Sequence, residues 1–170
     1  MVVYHGTNKD FEAFDVGEYG VSDNGYAGAG AYFTKSTEDA SGYAENAADM
    51  RDGEAQVRPA YISMKNPHVM TTAEYLPEGW ARSKIVKWTD DLKAKGHDGV
   101  VVLDEDGKPF EYVAFSPTQI KSATGNRGTY DPQDPRINYQ IRAKRPGPAQ
   151  EQARMQAVNV AKAVMAGDRV

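Results

Sequence analysis

The chain has no cysteine, and its three histidines, His5, His68 and His97, lie far apart in the sequence. The absence of cysteine excludes disulfides, thiolate nucleophiles and thiolate metal sites, and the histidine spacing predicts no zinc site. No apolar run approaches the roughly 20 residues that a membrane-spanning helix needs, and the N-terminal residues lack the pattern of a signal peptide. We therefore expect a protein that binds no metal and no membrane and is cytoplasmic, in its own cell or after delivery into a host cell.

Net charge is also small, but it is unevenly distributed. The 170 residues carry a formal net charge of −4, with −8 in residues 1–54 and +5 in residues 119–170. A basic end can attract a polyanion, although charged stretches usually form solvated faces. Composition thus leaves nucleic acid open as a target without establishing it.

A chain of this length can bury one core without cross-links, and its hydropathy pattern favours an α+β domain. Strands outnumber helices and cluster late, which is typical of a mostly antiparallel sheet, continuous or split. Ser36, with Asp39 three residues later, predicts a helix N-terminus, and Gly96 predicts the end of a second helix. The predicted strands cover residues 2–4, 31–34, 57–64, 100–103, 111–115 and a short run near 120, and the predicted helices cover 36–48 and 80–94.

The composition changes beyond residue 125. Four prolines between residues 132 and 148 do not suit a packed core. Residues 150–170 are rich in alanine and glutamine, with apolar residues at helical spacing. We therefore divide the chain into a domain over residues 1–130, an extended Pro-rich arm over 131–149 and a helical tail or linker over 150–170.

The segment Tyr4-His5-Gly6-Thr7 places a titratable ring directly after the first predicted strand. A lone histidine in such a place more often forms a structural hydrogen bond than it takes part in chemistry. Gly6 permits a ligand to approach the backbone, and Thr7 adds a hydroxyl donor. His5, Gly6 and Thr7 are therefore candidate ligand-binding residues, with a structural His5 as the alternative.

Tyr32, on a predicted strand, and Tyr43, on the helix that follows, are eleven positions apart. Aromatic residues so placed usually belong to the core, but they could also clamp a flat ring between them. Gly28 and Gly30, just before Tyr32, leave room for a ligand against the backbone and favour the clamp. The glycine spacing matches neither the dinucleotide fingerprint nor a P-loop.

Glu111 opens the apolar strand Glu111-Tyr112-Val113-Ala114-Phe115. A glutamate there is most often solvated, and its alternative role is to face a sugar hydroxyl or a developing cation. Most glycosidases use two carboxylates, and no comparable strand offers a second, although Asp98, Asp104 and Glu105 remain candidates. One acid together with a histidine and two tyrosines suggests a substrate that carries its own leaving group.

Together these segments resemble the His–Tyr–Glu class of ADP-ribosyltransferases, the class of diphtheria toxin and the poly(ADP-ribose) polymerases. Residues 4–7 resemble the class's His-Gly-Ser/Thr strand, residues 28–33 its Gly-x-Gly-x-Tyr-Phe element, and residues 111–115 its Glu-Tyr strand. The likeness spans residues 2–130 and is greatest to the short modules of phage and mobile-element polyvalent proteins. It implies an ADP-ribosyltransferase-like split antiparallel β-sheet with flanking helices, and NAD⁺ as substrate.

The resemblance also implies residue roles. His5 would bond a ribose hydroxyl, Gly6 would pair with the nicotinamide amide, and Glu111 would hold the ribose 2′-hydroxyl. Tyr32 and Tyr43 would sandwich the nicotinamide ring. Ser41 is included among the binding residues because Ala40 stands where many relatives have serine. The implied catalytic residues are Glu111, His5 and Tyr32. The implied NAD⁺-binding residues are His5, Gly6, Thr7, Gly30, Tyr32, Phe33, Ser41, Tyr43 and Glu111.

The activity that this likeness implies is transfer of one ADP-ribose to a macromolecule, a protein in preference to a nucleic acid, with release of nicotinamide. One alternative is an NAD⁺ glycohydrolase, in which water is the acceptor. Another is a non-catalytic module of the same fold that binds a partner through its basic arm and tail helix.

Overall fold

The computed structural model describes residues 1–16, 25–125 and 131–138, all of which belong to one compact unit over residues 1–139. The described residues form seven strands, two α-helices and two 3₁₀ helices. The strands are β1 (Val2–Thr7), β2 (Ala31–Thr34), β3 (Gln56–Ile62), β4 (His68–Thr71), β5 (Gly99–Leu103), β6 (Pro109–Ala114) and β7 (Ile120–Ser122); the helices are α1 (Thr37–Met50) and α2 (Arg82–Ala94), and the 3₁₀ helices are Thr72–Glu74 and Pro117–Gln119.

The strands form a single sheet in the order β4-β5-β6-β2-β1-β3-β7. Only the β4–β5 pair is parallel among the described strands, which confirms the expected α+β domain with a mostly antiparallel sheet. Six residue pairs join β1 to β3, whereas the single pair Tyr4–Thr34 joins β1 to β2. β1 and β2 are therefore joined at a single residue pair, and we call this sparsely paired position the split in the sheet.

Two apolar clusters cover the two faces of the sheet. The first contains Val3, Phe33 and Tyr112, and the second contains Val102 and Val113. Neighbouring residues of β6 enter different clusters because side chains alternate between the faces of a strand. This alternation decides on which face each candidate residue lies.

Both helices begin or end where local sequence signals place them. The Ser36 hydroxyl accepts a hydrogen bond from the Asp39 N–H over 3.0 Å, as the capping pattern predicts. Gly96, just after α2, has a φ of 88°, a conformation that glycine adopts without strain. Helix α1 packs against β1 through Ala40 and Ala44, which are buried at helical spacing.

Strand β4 was not expected from the sequence. It has only four residues, and Val69 is 56% exposed while Met70 is 3% exposed. One buried apolar side chain in so short a run gives no strand signal of its own. β4 forms a strand because its backbone pairs with that of β5.

Residues 131–138, which the sequence assigns to the arm, pack against the domain. Ile137 is 4% exposed within the first cluster, and its N–H donates to the Glu12 carbonyl over 2.8 Å. The buried Lys121 ammonium donates to the carbonyls of Asp134 and Arg136, the latter at 3.0 Å. The rest of the predicted arm and the predicted helical tail, residues 139–170, lie outside the described residues.

Candidate functional site

One row of paired residues crosses the sheet and contains Glu111. Tyr4 pairs with Thr34, Thr34 with Glu111, and Glu111 with Val102. Residues in such a row share one face. Glu111 is 7% exposed, so it is not the solvated strand-end glutamate of the simpler interpretation. A buried carboxylate thus lies one strand away from the split between β1 and β2.

The Glu111 carboxylate has a partner that sequence reasoning missed. The Tyr75 hydroxyl donates to Glu111 Oε2 over 3.2 Å. Tyr75 directly follows the 3₁₀ helix Thr72–Glu74. The sequence shows the capping pattern of that turn, but no local signal indicates that the next side chain reaches β6.

The His5 ring is fixed by a hydrogen bond to the backbone of β2. Its Nδ1 lies 2.8 Å from the Tyr32 carbonyl oxygen. Because a carbonyl only accepts, Nδ1 must carry the proton, and a neutral ring then presents Nε2 as an acceptor. This bond agrees with the structural interpretation of His5 and also determines the chemistry of its other nitrogen.

The surroundings of His5 keep it neutral. Burial, with a smaller contribution from the nearby Arg58 charge, lowers the pKa of His5 from 6.5 to about 4, although the bond to the Tyr32 carbonyl opposes this shift. The imidazole packs edge-on to Phe14, with ring centroids 4.9 Å apart, and is tilted against Phe33 at 5.6 Å. Nε2 therefore remains an acceptor at physiological pH.

His5 and Glu111 lie on opposite faces of the sheet. The His5 ring contacts Phe33 and Phe14, both members of the first cluster. Glu111 alternates with Tyr112 of that cluster and bonds Tyr75, which packs against the second cluster. The fold brings His5 to the backbone of Tyr32 but does not place it directly beside the carboxylate.

Tyr32 and Tyr43 differ in how the structure holds them. The Tyr32 hydroxyl donates to the Gly28 carbonyl over 2.5 Å and accepts from the Ala27 N–H over 3.2 Å. Tyr43 lies on α1 with 37% of its surface exposed. The Tyr32 ring is thus fixed by its own preceding loop, while Tyr43 is partly exposed to solvent.

Packing accounts for two of the candidate glycines without a ligand. A Cβ added to Gly6 would lie 2.0 Å from the Ala40 carbonyl oxygen of α1, and one added to Gly30 would lie 2.6 Å from the Ala114 carbonyl oxygen of β6. Both glycines therefore permit close approach of another backbone. Ala40, whose carbonyl makes the contact with Gly6, is itself fully buried.

The remaining candidates have mostly structural contacts. Thr7 is 8% exposed and its Oγ1 accepts from the Lys9 N–H, and Phe33 is 2% exposed in the first cluster. Ser41 is half-buried on α1.

The acids that the sequence left open as a second carboxylate have other surroundings. The Asp98 carboxylate accepts hydrogen bonds from the N–H groups of Lys65 and Asn66. The Asp104 carboxylate accepts hydrogen bonds from the N–H groups of Asp106 and Lys108, and Glu105 is exposed.

Within residues 1–16, 25–125 and 131–138, no group of three or more histidine, aspartate or glutamate side chains could hold a metal ion. None of the helices in these ranges combines the length and apolarity of a membrane span. Residues 1–130 match a family model described as ADP-ribosyltransferase in polyvalent proteins. No curated protein and no solved structure matches the chain.

Proposed function

The chain belongs to the family of ADP-ribosyltransferase domains found in polyvalent proteins, and we propose that it transfers a single ADP-ribose from NAD⁺ to a protein. The bond between C1′ of the nicotinamide ribose and nicotinamide breaks, and its electron pair leaves with nicotinamide. A nucleophilic atom of the acceptor bonds to C1′, and the proton that it loses passes to solvent. The observation that carries this proposal is the buried Glu111 carboxylate beside the split in the sheet.

Glu111 would act by charge and by position. Nicotinamide leaves as a neutral molecule from a cationic donor, so the reaction needs no general acid. The transition state resembles an oxocarbenium ion, and a fixed carboxylate in a site with little water stabilises the positive charge strongly. The same carboxylate would accept a hydrogen bond from the ribose 2′-hydroxyl and orient the incoming nucleophile.

His5 would hold the other end of the substrate. Its neutral ring, with the proton on Nδ1, presents Nε2 as an acceptor for a ribose hydroxyl. NAD⁺ bound near the single residue pair that joins β1 to β2 would have His5 and Glu111 as its two anchoring side chains. This arrangement supports a substrate role for His5 that does not require it to gain or lose a proton.

Tyr32 and Tyr43 would bind the nicotinamide ring by stacking. The hydrogen bonds that hold the Tyr32 ring reduce the entropy lost on binding, and the exposed part of Tyr43 offers a ring face to the substrate. Gly6 and Gly30 would contribute backbone groups, and Thr7, Phe33 and Ser41 would complete the lining of the site. The net charge of −8 in residues 1–54 disfavours a polyanionic acceptor near these segments, which supports a protein acceptor.

The test is incubation of the purified chain with NAD⁺ labelled in the ADP-ribose part and a cell lysate. We expect nicotinamide release and protease-sensitive label, both lowered about 10²-fold or more in Glu111→Gln. Glu105→Gln, which removes an exposed carboxylate, is the matched control and should keep full activity. Melting temperatures of both variants show that the fold is retained.

Each other outcome identifies a different function. Nuclease-sensitive label would identify a nucleic-acid acceptor, and nicotinamide release without label would identify a glycohydrolase. No release from the unmodified chain, or full activity of Glu111→Gln, would contradict the proposed site.

A further inference from the structure

We propose that Tyr75 is a positioning residue for Glu111: its hydroxyl holds the carboxylate in the ionised, correctly oriented form that the proposed transfer requires. The inference rests on the proposed function, because it assigns a residue to the same reaction. It starts from the hydrogen bond of 3.2 Å between the Tyr75 hydroxyl and Glu111 Oε2. The two residues are 36 positions apart, so tertiary structure alone creates the contact.

The strand order brings the segment that follows β4 close to Glu111. Met70 of β4 pairs with Val102 of β5, and Val102 pairs with Glu111 of β6. The chain leaves β4 one residue after Met70 and makes a single 3₁₀ turn. The next residue, Tyr75, therefore lies close to the row that contains Glu111.

That turn is held by its own hydrogen bonds. Glu74 Oε2 accepts from the Thr71 N–H over 2.7 Å and from the Thr71 hydroxyl over 3.0 Å, which closes a capping box. The Tyr75 N–H donates to the Thr72 carbonyl over 3.3 Å. The backbone position of Tyr75 thus does not depend on its bond to Glu111.

The Tyr75 ring is supported from a second direction. Its centroid lies 5.8 Å from that of Tyr26 with 34° between the planes, and the Leu76 N–H donates to the Tyr26 carbonyl over 2.8 Å. The residues that follow Tyr26, Ala27 and Gly28, are the ones that bond the Tyr32 hydroxyl. One loop therefore supports both Tyr32 and, through Tyr75, Glu111.

A phenol that donates to a buried carboxylate has two effects. It stabilises the ionised form relative to the protonated form, and it restricts the rotation of the carboxylate. A donor at 3.2 Å is somewhat long for an O–H···O bond, and such bonds in sites without ligand often tighten when the substrate binds. Loss of the hydroxyl should therefore affect the chemical step more than the binding of NAD⁺.

The experiment compares Tyr75→Phe with Tyr61→Phe in nicotinamide-release kinetics. Tyr61 is 49% exposed on β3 and serves as the matched loss of one hydroxyl. We expect Tyr75→Phe to lower kcat about tenfold, with the KM for NAD⁺ within about threefold of the unmodified chain. We also expect the acid limb of its pH–rate profile to move to higher pH, while Tyr61→Phe changes neither quantity.

A second variant covers the case in which Tyr75→Phe folds poorly. Incorporation of 3-fluorotyrosine at position 75 keeps the ring and the hydroxyl but makes the hydroxyl a stronger donor, so the acid limb should move to lower pH. Unchanged kcat and pH profile in Tyr75→Phe, or an unmoved limb with fluorotyrosine, would overturn the role of Tyr75 alone. Absence of NAD⁺ turnover by the unmodified chain would overturn the proposed function and this assignment together.

Discussion

His5 is bonded through Nδ1 to the carbonyl oxygen of Tyr32, at 2.8 Å, beside the single residue pair that joins β1 to β2. A side chain thus replaces main-chain pairing at the split in the sheet. The bond, the surrounding aromatic rings and the low pKa of His5 give a neutral imidazole with a defined tautomer. The physical consequences of this arrangement can be measured without any substrate.

The stability of the fold should decrease as the pH falls through the titration range of His5. Burial, and secondarily Arg58, lowers its pKa from 6.5 to about 4. Between these values the unfolded chain binds a proton that the folded chain does not, so stability rises with pH there. The free energy of unfolding should fall by up to about 3 kcal/mol between pH 6.5 and pH 4.

NMR titration of the His5 ring checks this prediction directly. The folded chain should titrate near 4 and the same chain in concentrated urea near 6.5. A folded-state value near 6.5 would contradict the burial of the neutral ring. In His5→Gln the slope of stability against pH over this range should flatten.

Gly6→Ala should destabilise the domain through a backbone clash. The new Cβ would lie 2.0 Å from the Ala40 carbonyl oxygen and 2.7 Å from the Ala44 backbone nitrogen, so α1 must move away from β1. We expect the free energy of unfolding, measured by urea denaturation, to fall by about 3 kcal/mol. Gly42→Ala is the control, because open space surrounds Gly42 within α1. Alanine there should raise the free energy of unfolding by about 0.5–1 kcal/mol. Equal effects of the two changes would contradict the close helix–strand contact.

Lys121→Met should loosen residues 131–138 from the sheet. The Lys121 ammonium donates to the carbonyls of Asp134 and Arg136, and these lose a buried donor in the variant. We expect the free energy of unfolding to fall by about 2 kcal/mol. We also expect faster amide exchange at Ser122 and Ile137, whose N–H groups donate to the carbonyls of Ile137 and Glu12. Lys108→Met, at a side chain 73% exposed, should change stability by less than about 0.5 kcal/mol. Unchanged exchange in Lys121→Met would show that the lysine does not hold the segment.

Tyr43→Ala should weaken NAD⁺ binding. Tyr43 is 37% exposed on α1 and is one of the two proposed stacking residues. Loss of a stacking partner is expected to raise the KM for NAD⁺ about tenfold. Tyr61→Ala, at 49% exposure on β3, is the matched control and should keep the original KM. An unchanged KM in Tyr43→Ala would remove Tyr43 from the proposed nicotinamide clamp.

Local sequence patterns predicted most of the secondary structure. The short apolar runs became β1, β2, β3, β5, β6 and β7 within a few residues of their predicted bounds. The capping serine of α1 and the terminal glycine of α2 also proved correct. These signals are reliable because each depends on residues a few positions apart, whose side chains and backbone groups meet within one strand or one turn. β4 was not predicted, because pairing with β5 stabilises it and its own composition gives no strand signal.

The same distinction applies to the candidate site. By itself the sequence determined that Tyr32 and Glu111 lie on strands and that His5 lies beside one, since each stands in or next to a short run with strand character. The structure extends β1 to Thr7 and so includes His5. Only the tertiary structure decided that Glu111 is buried beside the split, that His5 lies on the opposite face, and that Tyr75 bonds the carboxylate. Such contacts join residues tens of positions apart. They depend on strand order and register, which are determined by packing of the whole domain rather than by any local segment.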